Sequence, residues 1–112
     1  MEIERATELL AAERVRVERL LAQSNADLLS DREASQATGD IADPAERLTA
    51  QEVDDAIIAG LRDRLEAIGR AESRVRDGTY GRSVRSGLPI PDDRLEADPA
   101  AELTIEEAEA GA

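Results

Sequence analysis

Ser83, Ser86, Thr104 and Glu107 stand where two pairs of metal-ligating cysteines would stand. With cysteine at each, the spacing reads C-x2-C-x17-C-x2-C, in which two tight turns each present a pair of thiolates to one tetrahedral zinc ion. Three hydroxyls and one carboxylate are poor zinc ligands beside thiolates, and the chain has no Cys and no His to assist them. The expectation is therefore a degenerate, zinc-free lobe with no metal and no cofactor. Structural zinc contributes on the order of 10 kcal/mol to the folding of small lobes, so its loss has to be offset. Val75, Tyr80, Val84, Leu88, Ile90, Leu95, Leu103 and Ile105 are the candidates for a replacement apolar core, with Glu107 pairing to Arg82 or Arg85 across the old site. The alternative is a partly disordered tail, since apolar residues there are few.

A second set of chemically capable residues is Asp40-Ile41-Ala42-Asp43-Pro44-Ala45. Its two carboxylates can pair with Arg or Lys, or perturb a hydrated metal, without performing catalysis themselves. Asp43 also has a local role as the N-cap of a following helix, with Pro44 at the first helical position and Glu46 three residues after the cap. Asp40, beside Gly39, also reads as a solvated turn residue.

The elements that position these residues follow from periodicity. Residues 2 to about 34 read as one helix, with Ile3, Ala6, Leu10, Val17, Leu20, Leu21 and Leu28 as its apolar stripe. The pattern is lost over 35–43. A second helix starts at Pro44, carries Ile58, Leu61, Leu65, Ile68 and Val75 at coiled-coil spacing, and stops at Gly78. Two striped helices joined by a short loop make an antiparallel hairpin, a rod of roughly 45 Å. The fold class is thus mainly all-α: a long helical hairpin (1–77, tip about 37–45) followed by a small degenerate zinc-ribbon-like lobe (78–112). A short β-hairpin around Val84 and Ile90 and a final helix over Leu103–Ala110 are expected in the lobe.

Composition narrows the partners. The chain holds 26 acidic and 14 basic residues in 112, a net charge of −12, which disfavours direct binding to nucleic acid and suits a basic partner surface. There is no Phe or Trp, and Tyr80 is the one aromatic, so any core is thin and aliphatic. No apolar run approaches a membrane span and Met1-Glu2-Ile3-Glu4-Arg5 is no signal peptide, so a cytoplasmic location is expected.

Residues 37–107 resemble the DksA/TraR transcription regulators. The likeness rests on Asp40, Asp43 and Ala45, which match the D-x-x-D-x-A of that family's coiled-coil tip, set at the right distance before the cysteine-less zinc positions. It also rests on the wording around those positions, Tyr80-Gly81-Arg82-Ser83 and Gly87-Leu88-Pro89-Ile90-Pro91. The resemblance implies a monomer that binds bacterial RNA polymerase, with the prong in the secondary channel and the carboxylates near the catalytic magnesium. The family includes cysteine-poor members thought to stand in for zinc-bearing ones when zinc is scarce. In members responsive to ppGpp, basic residues hold that nucleotide, whereas the matching positions here are Ala67, Asp98 and Ala108, none of which can pair with a phosphate. The stretch Asp55–Gly60 is also poor in positive charge, leaving Arg62 and Arg64 as alternative contacts. Competing readings are a coiled-coil adaptor that has lost polymerase binding and, least favoured, an enzyme, since this architecture offers little concavity.

Overall fold

The computed structural model describes residues 1–38 and 44–111, with side chains described over 1–30 and 51–111. Among them the chain forms four helices: α1 (Ile3–Thr38), α2 (Pro44–Asp77), α3 (Asp92–Ala97) and α4 (Ile105–Ala110). α1 runs to Thr38 rather than to about 34 because Ser35-Gln36-Ala37-Thr38 contains no breaker; the first is Gly39. α2 begins at Pro44, the position that best tolerates a missing N–H. It ends in a Schellman arrangement: Gly78 adopts φ +78°, the Thr79 N–H reaches the Arg74 carbonyl at 2.9 Å, and the Gly78 N–H reaches that of Val75 at 3.4 Å.

Packing divides the chain into two compact units. One comprises Arg16–Arg64, where Val17, Leu28 and Ile58 are buried. The other joins Met1–Val15 to Leu65–Ala112 and buries Ala6, Leu10, Ile68 and Ala71 on the helices, then Ile90, Leu95, Ala100 and Ala101 beyond them. In this second unit Arg14 donates to Glu72 through Nε (3.3 Å) and Nη2 (2.5 Å), which sets the start of α1 beside the end of α2 and makes the pair antiparallel. The seam is narrower than the sequence stripe: Ile3 (59% exposed) and Leu20 (42%) face solvent. Gly60 lies inside α2, and a Cβ built there meets nothing within 4 Å. Gly60→Ala is expected to stabilise the helix by about 1 kcal/mol, read as a raised urea midpoint; an unchanged or lowered midpoint would contradict the open surroundings.

Beyond Gly78 the chain makes one isolated antiparallel bridge, Arg82 to Pro89, in place of the expected β-hairpin. The prolines at 89 and 91 and Gly87, at φ +76°, prevent a longer ladder. The short helix α3 is additional to the elements expected from the sequence; Pro91 followed by Asp92 and Asp93 is an acidic helix start. The lobe core consists of Ile90, Leu95 and Ala101, with Met1 and Tyr80 packed against it. Val84, Leu88 and Ile105, expected in that core, are instead about half exposed, at 56%, 57% and 46%. Val84 and Leu88 sit on a turn whose inward position is taken by buried Ser83, and Ile105 opens a helix that buries no residue. Val75 and Leu103 are half-buried.

Ion pairs and hydrogen bonds tie this lobe to both helices of its unit. Arg5 of α1 grips Glu96 of α3 with two bonds of 3.0 and 2.8 Å, which raises the Arg5 pKa and lowers that of Glu96. Arg70 of α2 grips Glu102 at 2.7 and 3.2 Å, and Arg74 lies 3.8 Å from the same carboxylate. The Tyr80 hydroxyl donates to the Pro99 carbonyl at 2.7 Å, and burial pushes its pKa up to about 12 against the opposing pull of Arg74.

Candidate functional site

The four positions with zinc-ligand spacing come together in the lobe, and the chemistry that joins them is hydrogen bonding. The Gly81–Ile90 segment doubles back on itself: the Ile90 N–H donates to the Gly81 carbonyl (2.8 Å), the Ser83 N–H to that of Leu88 (2.8 Å) and the Gly87 N–H to that of Ser83 (2.9 Å). Inside this turn the Ser83 hydroxyl oxygen accepts the N–H groups of Arg85 (3.1 Å) and Ser86 (3.2 Å), a serine turn of the kind that orders short loops. The Ser86 oxygen accepts the Leu88 N–H at 3.2 Å.

The second pair is a capping box at the start of α4. Thr104 Oγ1 accepts the Glu107 N–H (3.2 Å), while Glu107 Oε1 accepts the Thr104 N–H (3.1 Å) and hydroxyl (2.9 Å). The two halves then join, because the Ser83 hydroxyl donates to Glu107 Oε2 at 3.0 Å. Ser83 (4% exposed) and Thr104 (7%) are buried, so their polar groups need the partners they have. These donors, Ser83 first and then Thr104 and Ser86, hold the Glu107 carboxyl down to about 2 against the opposing effect of burial.

Glu107 therefore does not pair with Arg82 or Arg85, as charge alone suggested. The Arg82 guanidinium donates to the Gly87 carbonyl at 3.2 Å, and that of Arg85 packs against Gly111 so closely that a Cβ there would collide with it. Thr104-Ile105-Glu106-Glu107 is a capping-box string legible in the sequence, but the zinc spacing hid it.

These residues do not fit a zinc ion. The donor set holds one carboxylate and no thiolate or imidazole; the side-chain oxygens of Ser83, Thr104 and Glu107 are already joined to one another through protons, and that of Ser86 accepts the Leu88 N–H. Among the described residues no group of three or more His, Cys, Asp or Glu is arranged to hold a metal.

Of the tip residues, Asp40 and Asp43 lie outside the described residues, and Ala45 falls in the first turn of α2 with its side chain also outside them. Of the alternative contact residues, Arg62 is exposed and Arg64 half-buried on α2. Two grooves in the second unit are lined in part by acidic residues, and one of them holds Asp93 and Asp98 beside Arg94. The other, lined by Leu10, Ala11 and Val75, holds Glu72, already bonded to Arg14. Among the described residues no helix is long and apolar enough to cross a membrane.

No family model matches the chain. A solved structure of transcription factor DksA2 from Pseudomonas aeruginosa superposes on 97% of this chain and 81% of its own with a TM-score of 0.79, at 25% identity. General stress protein 16O of Bacillus subtilis (strain 168) is 38% identical over 66 residues, 59% of this chain. The chain spans 40% of the length of that curated relative.

Proposed function

We propose that this chain, which has the DksA-type fold, is a transcription regulator that binds bacterial RNA polymerase and is not an enzyme. The observation that carries the reading is the match of nearly the whole chain, hairpin and lobe together, to a transcription factor of that fold. In this reading the hairpin enters the secondary channel as a monomeric prong and Asp40, Asp43 and Ala45 form its working end. The net charge of −12 favours entry into a basic, nucleotide-conducting channel and disfavours competition by nucleic acid. A ppGpp site is not completed, because Ala67 and Ala108 offer no cation and Asp98 would repel a phosphate.

The test pairs purified polymerase with the wild type and with Asp40→Asn/Asp43→Asn. The variant is expected to bind within about tenfold of wild type, a difference of about 1.4 kcal/mol, and to lose its effect on initiation in transcription assays. Failure of both proteins to bind would overturn the proposal.

A second reading, a coiled-coil adaptor, draws on Val15, Leu29, Val53 and Ile57, which are all about half exposed on α1 and α2. Sedimentation separates the two: a monomer at micromolar concentration favours the polymerase-binding prong, and an obligate dimer favours the adaptor.

A further inference from the structure

We propose that Glu107 does the structural work of the absent metal, so that the lobe is closed by a central carboxylate that gathers protons in place of a central cation that gathers thiolates. The disagreement between the zinc spacing and the residues present is the starting point. In a four-cysteine site one cation draws four anionic ligands from two turns. Here one anion draws donors from the same two places: the Ser83 hydroxyl on the 83–88 turn, and the Thr104 hydroxyl and N–H at the start of α4. The polarity of the site is inverted while its connectivity is kept.

Three features make Glu107, and not the hydroxyls, the hub. It is the one member of the four that carries charge, and hydrogen bonds to a charged acceptor are roughly twice as strong as neutral ones. Its two oxygens divide the labour, Oε1 binding within its own capping box and Oε2 crossing to the turn. And the turn it reaches is already ordered from within, since Ser83 Oγ accepts two backbone N–H groups and so presents its proton in a fixed direction. No charged partner is needed, consistent with Arg82 and Arg85 being turned to Gly87 and Gly111. The lobe then holds its shape with no dependence on metal supply or thiol redox state. This inference is independent of polymerase binding.

Amide exchange across residues 80–110 tests it, with chelator and with added zinc as separate arms. Wild-type protection is expected to be unchanged in both arms. Glu107→Gln, which keeps the shape and removes the charge, is expected to speed exchange at 83–88 and 105–110 on the order of tenfold while α2 is unaffected. Ser83→Ala cuts the crossing, leaves the capping box and also removes the oxygen that accepts the Arg85 and Ser86 N–H groups, so exchange should rise at 83–88 more than at 105–110. The variant S83C/S86C/T104C/E107C should bind one zinc ion per chain and become chelator-sensitive. Loss of wild-type protection in chelator would overturn the proposal. So would unchanged exchange in Glu107→Gln, whatever Ser83→Ala does, or a four-cysteine variant that takes up no zinc.

Discussion

Leu95→Ala is expected to unfold the lobe while leaving the helical hairpin intact. Leu95 is 1% exposed and is the most deeply buried member of a cluster completed by Ile90, Ala101, Met1 and Tyr80. Truncating a buried leucine costs about 2–5 kcal/mol, and so small a cluster has little else to collapse into the space. Stability is not uniform along such a chain, so the loss should stay local. The reporter is built in: Tyr80 is the one aromatic residue, and its phenol is held at about 12 by burial. In Leu95→Ala the phenol should titrate near its ordinary value of 10, followed by ultraviolet absorbance, while far-ultraviolet dichroism keeps most of its helical signal. A variant whose phenol still titrates near 12 would show that the cluster does not hold the lobe closed.

Acid should open the lobe before it harms the hairpin. The Glu107 carboxyl sits at about 2 in the folded protein, below its ordinary 4.5. A group depressed on folding stabilises the native state above its unfolded pKa, and that contribution fades as pH falls toward the folded value. The window for Glu107 is thus from about 4.5 down to about 2. Glu96, lowered by Arg5, acts in the same direction. The hairpin moves the other way, because protonation relieves the self-repulsion of a chain with a net charge of −12. Lowering pH from 6 to about 3 should accelerate amide exchange at 83–88 and 105–110 beyond the intrinsic pH effect, with helicity preserved. In Glu107→Gln that extra acceleration should be absent, since the group that titrates has been removed. Equal acid sensitivity in wild type and Glu107→Gln would assign the effect to other carboxylates.

The hairpin was legible because its cues are local and repeated. The Ile58, Leu61, Leu65, Ile68 stripe, the Pro44 start and the Gly78 stop each act within a few residues, and the helix bounds at Pro44 and Asp77 follow from them. The lobe was harder to read. Its elements are too short for periodicity to mark α3, and the apolar character of Val84, Leu88 and Ile105 points to a core that they do not join. Small residues did the burying instead: Ala100 and Ala101 are 3% and 6% exposed, and alanine carries no directional signal in sequence.

From sequence alone came the helical hairpin, the absence of thiolate chemistry and the four equivalent positions at 83, 86, 104 and 107, because spacing and residue type are one-dimensional properties. Tertiary structure decided what those four positions do. Whether Glu107 meets an arginine, a metal or a serine depends on where a turn some twenty residues away is folded against it, and the fold delivers the Ser83 hydroxyl, 3.0 Å from its carboxylate. Charge pairing suggested the arginines; hydrogen-bond geometry, which acts only at contact, selected the serine.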